Sequence, residues 1–482
     1  MKLKKLIKDI DLKVIKGSKE IEITGITNNS KNIAPGYLFV AKRGKVFDGN
    51  EYITDAIMAG ASCVLTDFYN PFLENFVQLI TENVAEIEPL LAKRFYNDPS
   101  KDLFLVGVTG TNGKTISSYL LKSIFEHFGP TGLMGTIETI IGDCHYESSL
   151  TTPDVITCNK FLREMVLNEV KSAFMEVSSH ALSQKRIDGL LYDTILFTNL
   201  SNEHLDYHKT MEEYAKEKAK LCEYLKPNGT IVYNVDDPWC EKMTFNSSQT
   251  KITFGIKEKA DYYPKNIHYS LTNTKFTLCS EEGEIEMESP LLGEFNLYNV
   301  LGVIAIAKAR GVSLEIIRDS LKNFQGVNGR METISLENGN TIIVDFAHTE
   351  DALEKVLSVL KNVTKGKLYT VFGCGGKRDL EKRPKMASVA EKYSDFVIVT
   401  SDNPRSESLD KINDEICKGF LTNDYLVEAD RKTAIAKGID MLKSTDILLI
   451  AGKGHEKKQI FAHKMIDFDD VKVAKEILNV LI

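Results

Sequence analysis

The apolar run Leu103-Phe104-Leu105-Val106-Gly107-Val108 leads directly into Gly110-Thr111-Asn112-Gly113-Lys114-Thr115, and a helix-compatible stretch follows. Such a run is what a parallel strand buried on both faces looks like. A glycine-rich turn between that strand and a helix aims backbone N–H groups and the helix N-terminus at one point, forming an anion cradle. Lys114 adds a mobile positive charge, and Thr115 can offer its hydroxyl to Mg²⁺. The generic spacing needs glycine at 108, where this chain has valine, so the turn is a variant of the phosphate-binding loop. It commits the chain to an α/β sheet and a nucleotide but leaves the reaction open.

The rest of the chain divides into three blocks. Residues 1–102 mix short apolar runs, Tyr37 to Ala41 and Cys63 to Thr66, with an amphipathic stretch from Asp48 to Ala61, and end at the turn-forming Asn97-Asp98-Pro99-Ser100. Residues 103–328 continue the strand–helix alternation through the strand candidates 173–177, 194–197 and 230–233, and then alternate like an antiparallel ribbon over 265–290. Residues 329–482 repeat the pattern at 341–344, 368–372, 396–399 and 447–450, a doubly wound arrangement. The expected fold class is therefore α/β in three domains. A smaller N-terminal domain precedes a central, mostly parallel sheet and a Rossmann-like C-terminal domain, with right-handed crossovers.

A formal charge of −8 gives no basic field for a polyanion, so nucleic acid is not an expected partner. The N-terminal Met1 to Asp9 has lysines but no long apolar run after them, and reads as a short amphipathic helix instead of a signal peptide. No stretch approaches 18 apolar residues, so no membrane insertion is expected. The eight cysteines are scattered without zinc-type spacing and suit a reduced cytoplasmic protein. A monomer is expected.

Further motifs follow in chain order. They are Thr151-Thr152-Pro153-Asp154, Met175-Glu176-Val177-Ser178-Ser179-His180, Thr198-Asn199-Leu200-Ser201-Asn202-Glu203-His204-Leu205-Asp206, Gly329-Arg330-Met331-Glu332, Asp345-Phe346-Ala347-His348 and Ala451-Gly452-Lys453-Gly454-His455-Glu456. With the variant loop, this set resembles the Mur ligases and the folylpolyglutamate synthetases, and looks most like the MurE-type branch, which adds the third amino acid of the cell-wall peptide. The resemblance implies an ATP-dependent peptide ligase of peptidoglycan synthesis that works through an acyl phosphate.

Read on its own chemistry, Glu176 ends a strand and is a hard oxygen ligand within reach of a metal at the loop, though such a carboxylate can also cap a helix. His204 and Lys218, read alone, fit a polar turn and a solvated helix face. The resemblance makes His204 a ligand of a second Mg²⁺. It also places a carbamylated lysine four residues after Tyr214 and three before Leu221, which selects Lys218 over Lys216 and Lys220. A carbamate offers anionic oxygens where an ammonium would repel the ion. The implied cofactors are thus ATP and two Mg²⁺ held by Thr115, Glu176, His204 and carbamylated Lys218, with Lys114 on the phosphates.

By the same resemblance, Asn296 and Asn299 contact adenine, while Arg330 and Asp345 reach back to the ATP phosphates and ribose. Thr151, Thr152, Ser178, Gln184 and Arg186 match positions that hold UDP-MurNAc-L-Ala-D-Glu. Ser30 lies in the uridine segment, where Asn29-Ser30-Lys31 replaces the usual Asp-Ser-Arg. Asp402-Asn403-Pro404-Arg405 marks members that add meso-diaminopimelate, because a guanidinium can clamp that substrate's distal carboxylate. Arg378, Gly452 and Glu456 complete that pocket, Glu456 receiving the distal ammonium. Phe346, Glu350 and Glu217 depart from the family's Tyr, Pro and Ala. Lysine- or lanthionine-adding ligases, a folylpolyglutamate synthetase and a non-catalytic nucleotide-binding regulator are the alternative readings.

Overall fold

The computed structural model describes residues 1–44, 48–73, 76–336 and 338–478. Its strands form three principal sheets. The first runs, edge to edge, Val14–Lys16, Val77–Ile80, Cys63–Thr66, Tyr37–Val40 and Gly25–Thr27, parallel except at the Val14–Lys16 edge. The helix Val84–Phe95 covers it, and Leu38, Val40, Leu65 and Leu79 pack with Leu91 and Ala92.

The central sheet has eight strands in the order Thr250–Phe254, Leu225–Asn234, Tyr192–Phe197, Phe104–Thr109, Ser172–Glu176, Thr131–Met134, Glu138–Ile141 and Cys144–Glu147. The first six are parallel and the last two turn back antiparallel. Strand Phe104–Thr109 lies among these parallel strands, and its alternate residues face two different cores. Val106 and Val108 pack under the helices Lys114–Phe125 and Glu294–Ala309, whereas Leu105 packs with Leu162 and Met165 of the helix Val155–Leu167. Burial on both faces is why the run reads as continuously apolar. An antiparallel ribbon, Tyr263–Tyr269, Thr274–Ser280 and Gly283–Ser289, stands apart as a three-stranded sheet.

The third sheet runs Glu332–Ser335, Thr341–Asp345, Ile447–Ala451, Leu368–Phe372, Phe396–Val399 and Tyr425–Val427, parallel apart from its first pair. Helices cover both faces, Glu350–Val363 and Lys382–Tyr393 on one and Arg431–Asp440 and Asp470–Ile477 on the other. In parallel sheets of this kind the loops at the carboxyl ends of the strands form the ligand crevice. Glu176, Asp345 and Ala451 are each the last residue of such a strand.

Candidate active site

Two glycines shape the phosphate turn. A Cβ on Gly110 (φ +146°) would lie 1.9 Å from Thr198 Oγ1, and one on Gly113 (φ +88°) would lie 2.1 Å from Asn299 Oδ1. The turn is held from the neighbouring strand's loop, since the amides of Thr111 and Asn112 donate to Asn199 O and Oδ1 at 2.9 and 3.0 Å. The hydroxyl of Thr198 donates to Asn112 O at 2.6 Å.

Two lysines converge on one carbonyl. Lys114 Nζ donates to Gly110 O at 2.9 Å and Thr111 O at 2.8 Å, and Lys218 Nζ donates to the same Gly110 O at 2.9 Å. Lys218 is 1% exposed and stands 4.8 Å from the ring centre of Tyr214. Burial pushes its amine well below the ordinary lysine range, and the Lys114 ammonium pushes it the same way. A buried amine that gives up its proton is nucleophilic, the state in which it adds CO₂.

Glu176 is fully buried. Its oxygens accept from the Thr115 hydroxyl at 3.1 Å, the Thr136 hydroxyl at 2.8 Å and the Thr136 amide at 3.0 Å. Among the described residues no ammonium or guanidinium pairs with it. A buried carboxylate beside a hydroxyl, lacking a cation of its own, fits a hard divalent ion such as Mg²⁺. No three His, Cys, Asp or Glu side chains among the described residues group tightly enough to hold an ion by themselves. A carbamate on Lys218 would add an anionic oxygen donor to those of Thr115 and Glu176.

His204 adopts φ +58° and is part-exposed, its Nε2 3.8 Å from Glu203 Oε1 and its ring edge-on to His180 at 4.8 Å. Burial lowers its pKa despite the Glu203 carboxylate. Sequence reasoning passed over Glu203. Burial acts to raise its carboxyl, but His204, Lys114, His348 and Lys218 together hold it below the ordinary value. These four basic side chains all act on this one carboxylate. Thr136, which orients Glu176, was also missed, because a lone threonine after a glycine carries no signal. The adjoining Gly135 was the clue, since a Cβ there would lie 2.3 Å from Glu176 Oε1.

Across the turn lies the third unit. A cleft is lined by Asn112, Gly113, Asn296, Asn299, Arg330 and Asp345 among others. Asn299 Nδ2 donates to Asn296 Oδ1 at 3.2 Å. The Arg330 guanidinium sits 4.6 Å over the Phe346 ring, and its buried Nε has no hydrogen-bond partner among the described residues. Asp345 accepts from the amides of Met331 and Ala347, both at 2.8 Å, and burial raises its pKa.

The predicted substrate residues form a connected patch. Thr152 Oγ1 donates to Glu176 O at 2.8 Å and accepts from the Ser178 amide at 3.1 Å, while Ser178 caps the helix Ser179–Ser183. The Thr151 hydroxyl accepts from Thr136 at 3.2 Å. Arg186 donates to Gln184 Oε1 at 2.7 Å and to Thr152 O at 3.0 Å. Ser30 opens the turn Ser30–Asn32, and its segment meets this patch where Asn28 Nδ2 donates to Asp154 Oδ1 at 3.3 Å.

The last group sits at the ends of the third sheet. Asp402 and Asn403 are buried, Arg405 has φ +54°, and Gly452 (φ +109°) would bring a Cβ to 3.0 Å from Asp402 Oδ2. Burial and then the exposed Arg378 lower the Arg405 pKa, and both side chains flank Gly375, where a Cβ would lie 3.0 Å from Arg405 Nη1 and 3.7 Å from Arg378 Cγ. Pro404 turns the loop back, its carbonyl 1.9 Å from where a Cβ of Gly376 would lie. Glu456 is not free: Lys453 Nζ donates to its Oε2 at 2.9 Å and Asn403 Nδ2 at 2.7 Å. Any ammonium it receives must share it with Lys453.

Three family models match the chain: the Mur ligase middle domain over residues 108–307, the Mur ligase glutamate ligase domain over 329–454 and the Mur ligase family catalytic domain over 22–93. The chain is 40% identical over 485 residues to a protein of Chlamydia felis named UDP-N-acetylmuramoyl-L-alanyl-D-glutamate--2,6-diaminopimelate ligase, covering 99% of both chains. It is 38% identical over 485 residues to a protein of Clostridium acetobutylicum of the same name, numbered 1, covering 100% of both. A solved structure of a ligase with that name superposes with a TM-score of 0.70 at 30% identity over 99% of each chain. MurF ligase of Thermotoga maritima in complex with ADP shares the fold, with a TM-score of 0.65 at 19% identity over 95% of this chain and 96% of that one.

Proposed function

The chain belongs to the Mur ligase family, and we propose that it joins meso-2,6-diaminopimelate to UDP-N-acetylmuramoyl-L-alanyl-D-glutamate with cleavage of ATP. Residues 1–102 serve uridine, 103–328 serve ATP and 329–482 serve the amino acid. The observation that carries this reading is the cleft between the phosphate turn and Arg330–Asp345, which brings the ATP residues of two units face to face.

In this reading Lys114 leaves the carbonyls of Gly110 and Thr111 for the ATP phosphates, joined by the turn amides. Asn296 and Asn299 meet the base, and Arg330 and Asp345 the phosphates and ribose. Thr151, Thr152, Ser178, Gln184 and Arg186 hold the UDP-dipeptide so that its terminal carboxylate oxygen attacks the γ-phosphorus and expels ADP. The product is an acyl phosphate. The amine of diaminopimelate attacks its carbonyl carbon, phosphate leaves, and the amine sheds a proton. Thr115, Glu176, His204 and Lys218 as its carbamate would hold two Mg²⁺ ions, which would neutralise phosphate charge. The third unit shields the acyl phosphate from water. Arg378 and Arg405 take the distal carboxylate, with Asp402, Asn403, Gly452 and Glu456 around the rest of the amino acid. The described residues include no helix long and apolar enough to cross a membrane.

The test is phosphate release with the UDP-dipeptide present or omitted and with meso-diaminopimelate, L-lysine or lanthionine as acceptor. Release that requires the dipeptide and diaminopimelate together, and that Arg405→Ala abolishes, supports the reading. Release without an acceptor, or unaltered kinetics in Arg405→Ala, overturns it.

A further inference from the structure

The two loops that carry Arg378 and Arg405 are clamped by a third arginine, buried beneath them. Arg383 lies in the helix Lys382–Tyr393 and its side chain is fully buried. Its guanidinium donates to both oxygens of Glu407 at 3.0 and 2.9 Å, to Glu415 Oε2 at 2.6 Å and to Gly375 O at 3.2 Å. Glu407 alone among these partners also reaches the other loop, since its Oε2 accepts from the Lys377 amide at 2.9 Å. Lys377 (φ +55°) is the residue before Arg378, and Glu407 is two residues after Arg405.

Around this clamp the loops touch each other directly. The Gly376 amide donates to Asn403 O at 2.9 Å, and Arg405 Nη1 donates to Gly376 O at 3.0 Å. Arg405 and Lys377 are both held in the left-handed region, which a non-glycine residue keeps only when its surroundings enforce it. A bidentate carboxylate–guanidinium pair is the directional contact suited to that.

We infer that Glu407, anchored by Arg383, is a positioning residue that sets the spacing between Arg378 and Arg405 and thereby the preference for an amino acid with a second, distal carboxylate. Glu415 is the internal comparison: it shares Arg383 but touches neither loop's backbone. The inference rests on the proposed function, because it assigns the two arginines to the distal carboxylate.

The experiment measures KM and kcat for meso-diaminopimelate, KM for ATP and the melting temperature in the full-length enzyme and in Glu407→Gln, Glu407→Asp and Glu415→Gln. Glu407→Asp keeps the charge on Arg383 but shortens the arm, so it decides alone if Glu407→Gln does not fold. The expected result is a KM for diaminopimelate at least tenfold higher in the Glu407 variants. KM for ATP stays within twofold, and Glu415→Gln stays within twofold on both substrates. Equal effects of Glu407 and Glu415 variants, or an unchanged diaminopimelate KM in a folded Glu407 variant, overturn the inference. Arg405→Ala run in parallel separates the two failures: if it too is unaffected, the pocket assignment falls. If it alone loses diaminopimelate, the pocket stands and only the clamp falls.

Discussion

A buried ammonium without a carboxylate is among the costliest groups a fold can carry, and Lys218 is such a group, resting on Gly110 O and the Tyr214 ring. Burial relieves the conflict by pushing its pKa well down, toward the neutral amine. In the unmodified protein the folded state then binds fewer protons than the unfolded chain between the lowered value and the ordinary 10.5. Stability from this residue is therefore fully present above 10.5 and is lost as pH falls toward the lowered value. The neutral amine is also what adds CO₂. Enzyme prepared in CO₂-depleted buffer at pH 8 is expected to lose most of its ligase activity and to regain it with bicarbonate, followed as phosphate release. Activity indifferent to CO₂ would leave Lys218 unmodified. Glu176 presents the converse case, a buried carboxylate with only neutral donors. Glu176→Gln keeps the shape and removes the charge, so turnover should fall at least 100-fold, about 3 kcal/mol of transition-state stabilisation, while the melting temperature in the absence of Mg²⁺ does not fall. A lower melting temperature with intact turnover would take Glu176 out of the metal site.

The turn between strand Phe104–Thr109 and helix Lys114–Phe125 is the element on which these side chains depend, and its conformation is written in Gly110 and Gly113. Gly113→Ala places a side chain at φ +88°, which costs about 1–2 kcal/mol, and drives it into Asn299. The expected outcome is a rise in KM for ATP of tenfold or more with a melting temperature only a few degrees lower; wild-type ATP kinetics would show that the turn tolerates a Cβ. Elements like this were legible because one physical cause dominates them. Buried parallel strands such as 104–109, 368–372 and 447–451 read as apolar runs, and the ribbon over 263–289 read as alternation. The short strands Thr131–Met134, Glu138–Ile141 and Cys144–Glu147 did not: Gly132 breaks the apolar run of the first, the second opens on Glu138-Thr139, and the last is exposed throughout. The edge strand Glu332–Ser335 alternates between exposed and buried positions and pairs with only one neighbour, so its pattern is too brief to read. Site residues followed the same division. Residues of the glycine-rich turn and the strand end at Glu176 announced themselves, whereas His204, Lys218 and the substrate residues were named only through family resemblance. Glu203, Thr136, Arg383 and Glu407 act through partners distant in sequence, which no local pattern encodes.

At the scale of the whole molecule, the cleft proposed for ATP exists only while the central and C-terminal units stay together, and one carboxylate ties them at its rim. Asp351 sits in the first turn of the helix Glu350–Val363, where an acid is expected simply to favour the helix N-terminus. Its Oδ2 instead accepts from three donors: Asn112 Nδ2 of the phosphate turn at 3.1 Å, Ser201 Oγ of the neighbouring loop at 2.9 Å and Lys355 Nζ of its own helix at 2.7 Å. Two of the three belong to the central unit, so any separation of the units breaks both bonds together. Hydrogen bonds to a charged acceptor contribute about 1.5–3 kcal/mol each where shielded, and partial exposure puts the pair at the low end. Asp351→Asn retains an acceptor oxygen but loses the charge and presents an NH₂ that cannot bond the donors it faces. The variant should populate more open arrangements, seen as a larger radius of gyration in solution scattering without ligands. Its KM for ATP should rise about tenfold, the equivalent of 1.4 kcal/mol, and saturating ATP should restore both compactness and most of kcat. That restoration separates a latch from a catalytic group, because a residue acting on the reacting atoms would leave kcat low however much nucleotide were added. An unchanged scattering profile together with a permanently depressed kcat would show that the two units are held by other contacts and that Asp351 acts on the chemistry itself.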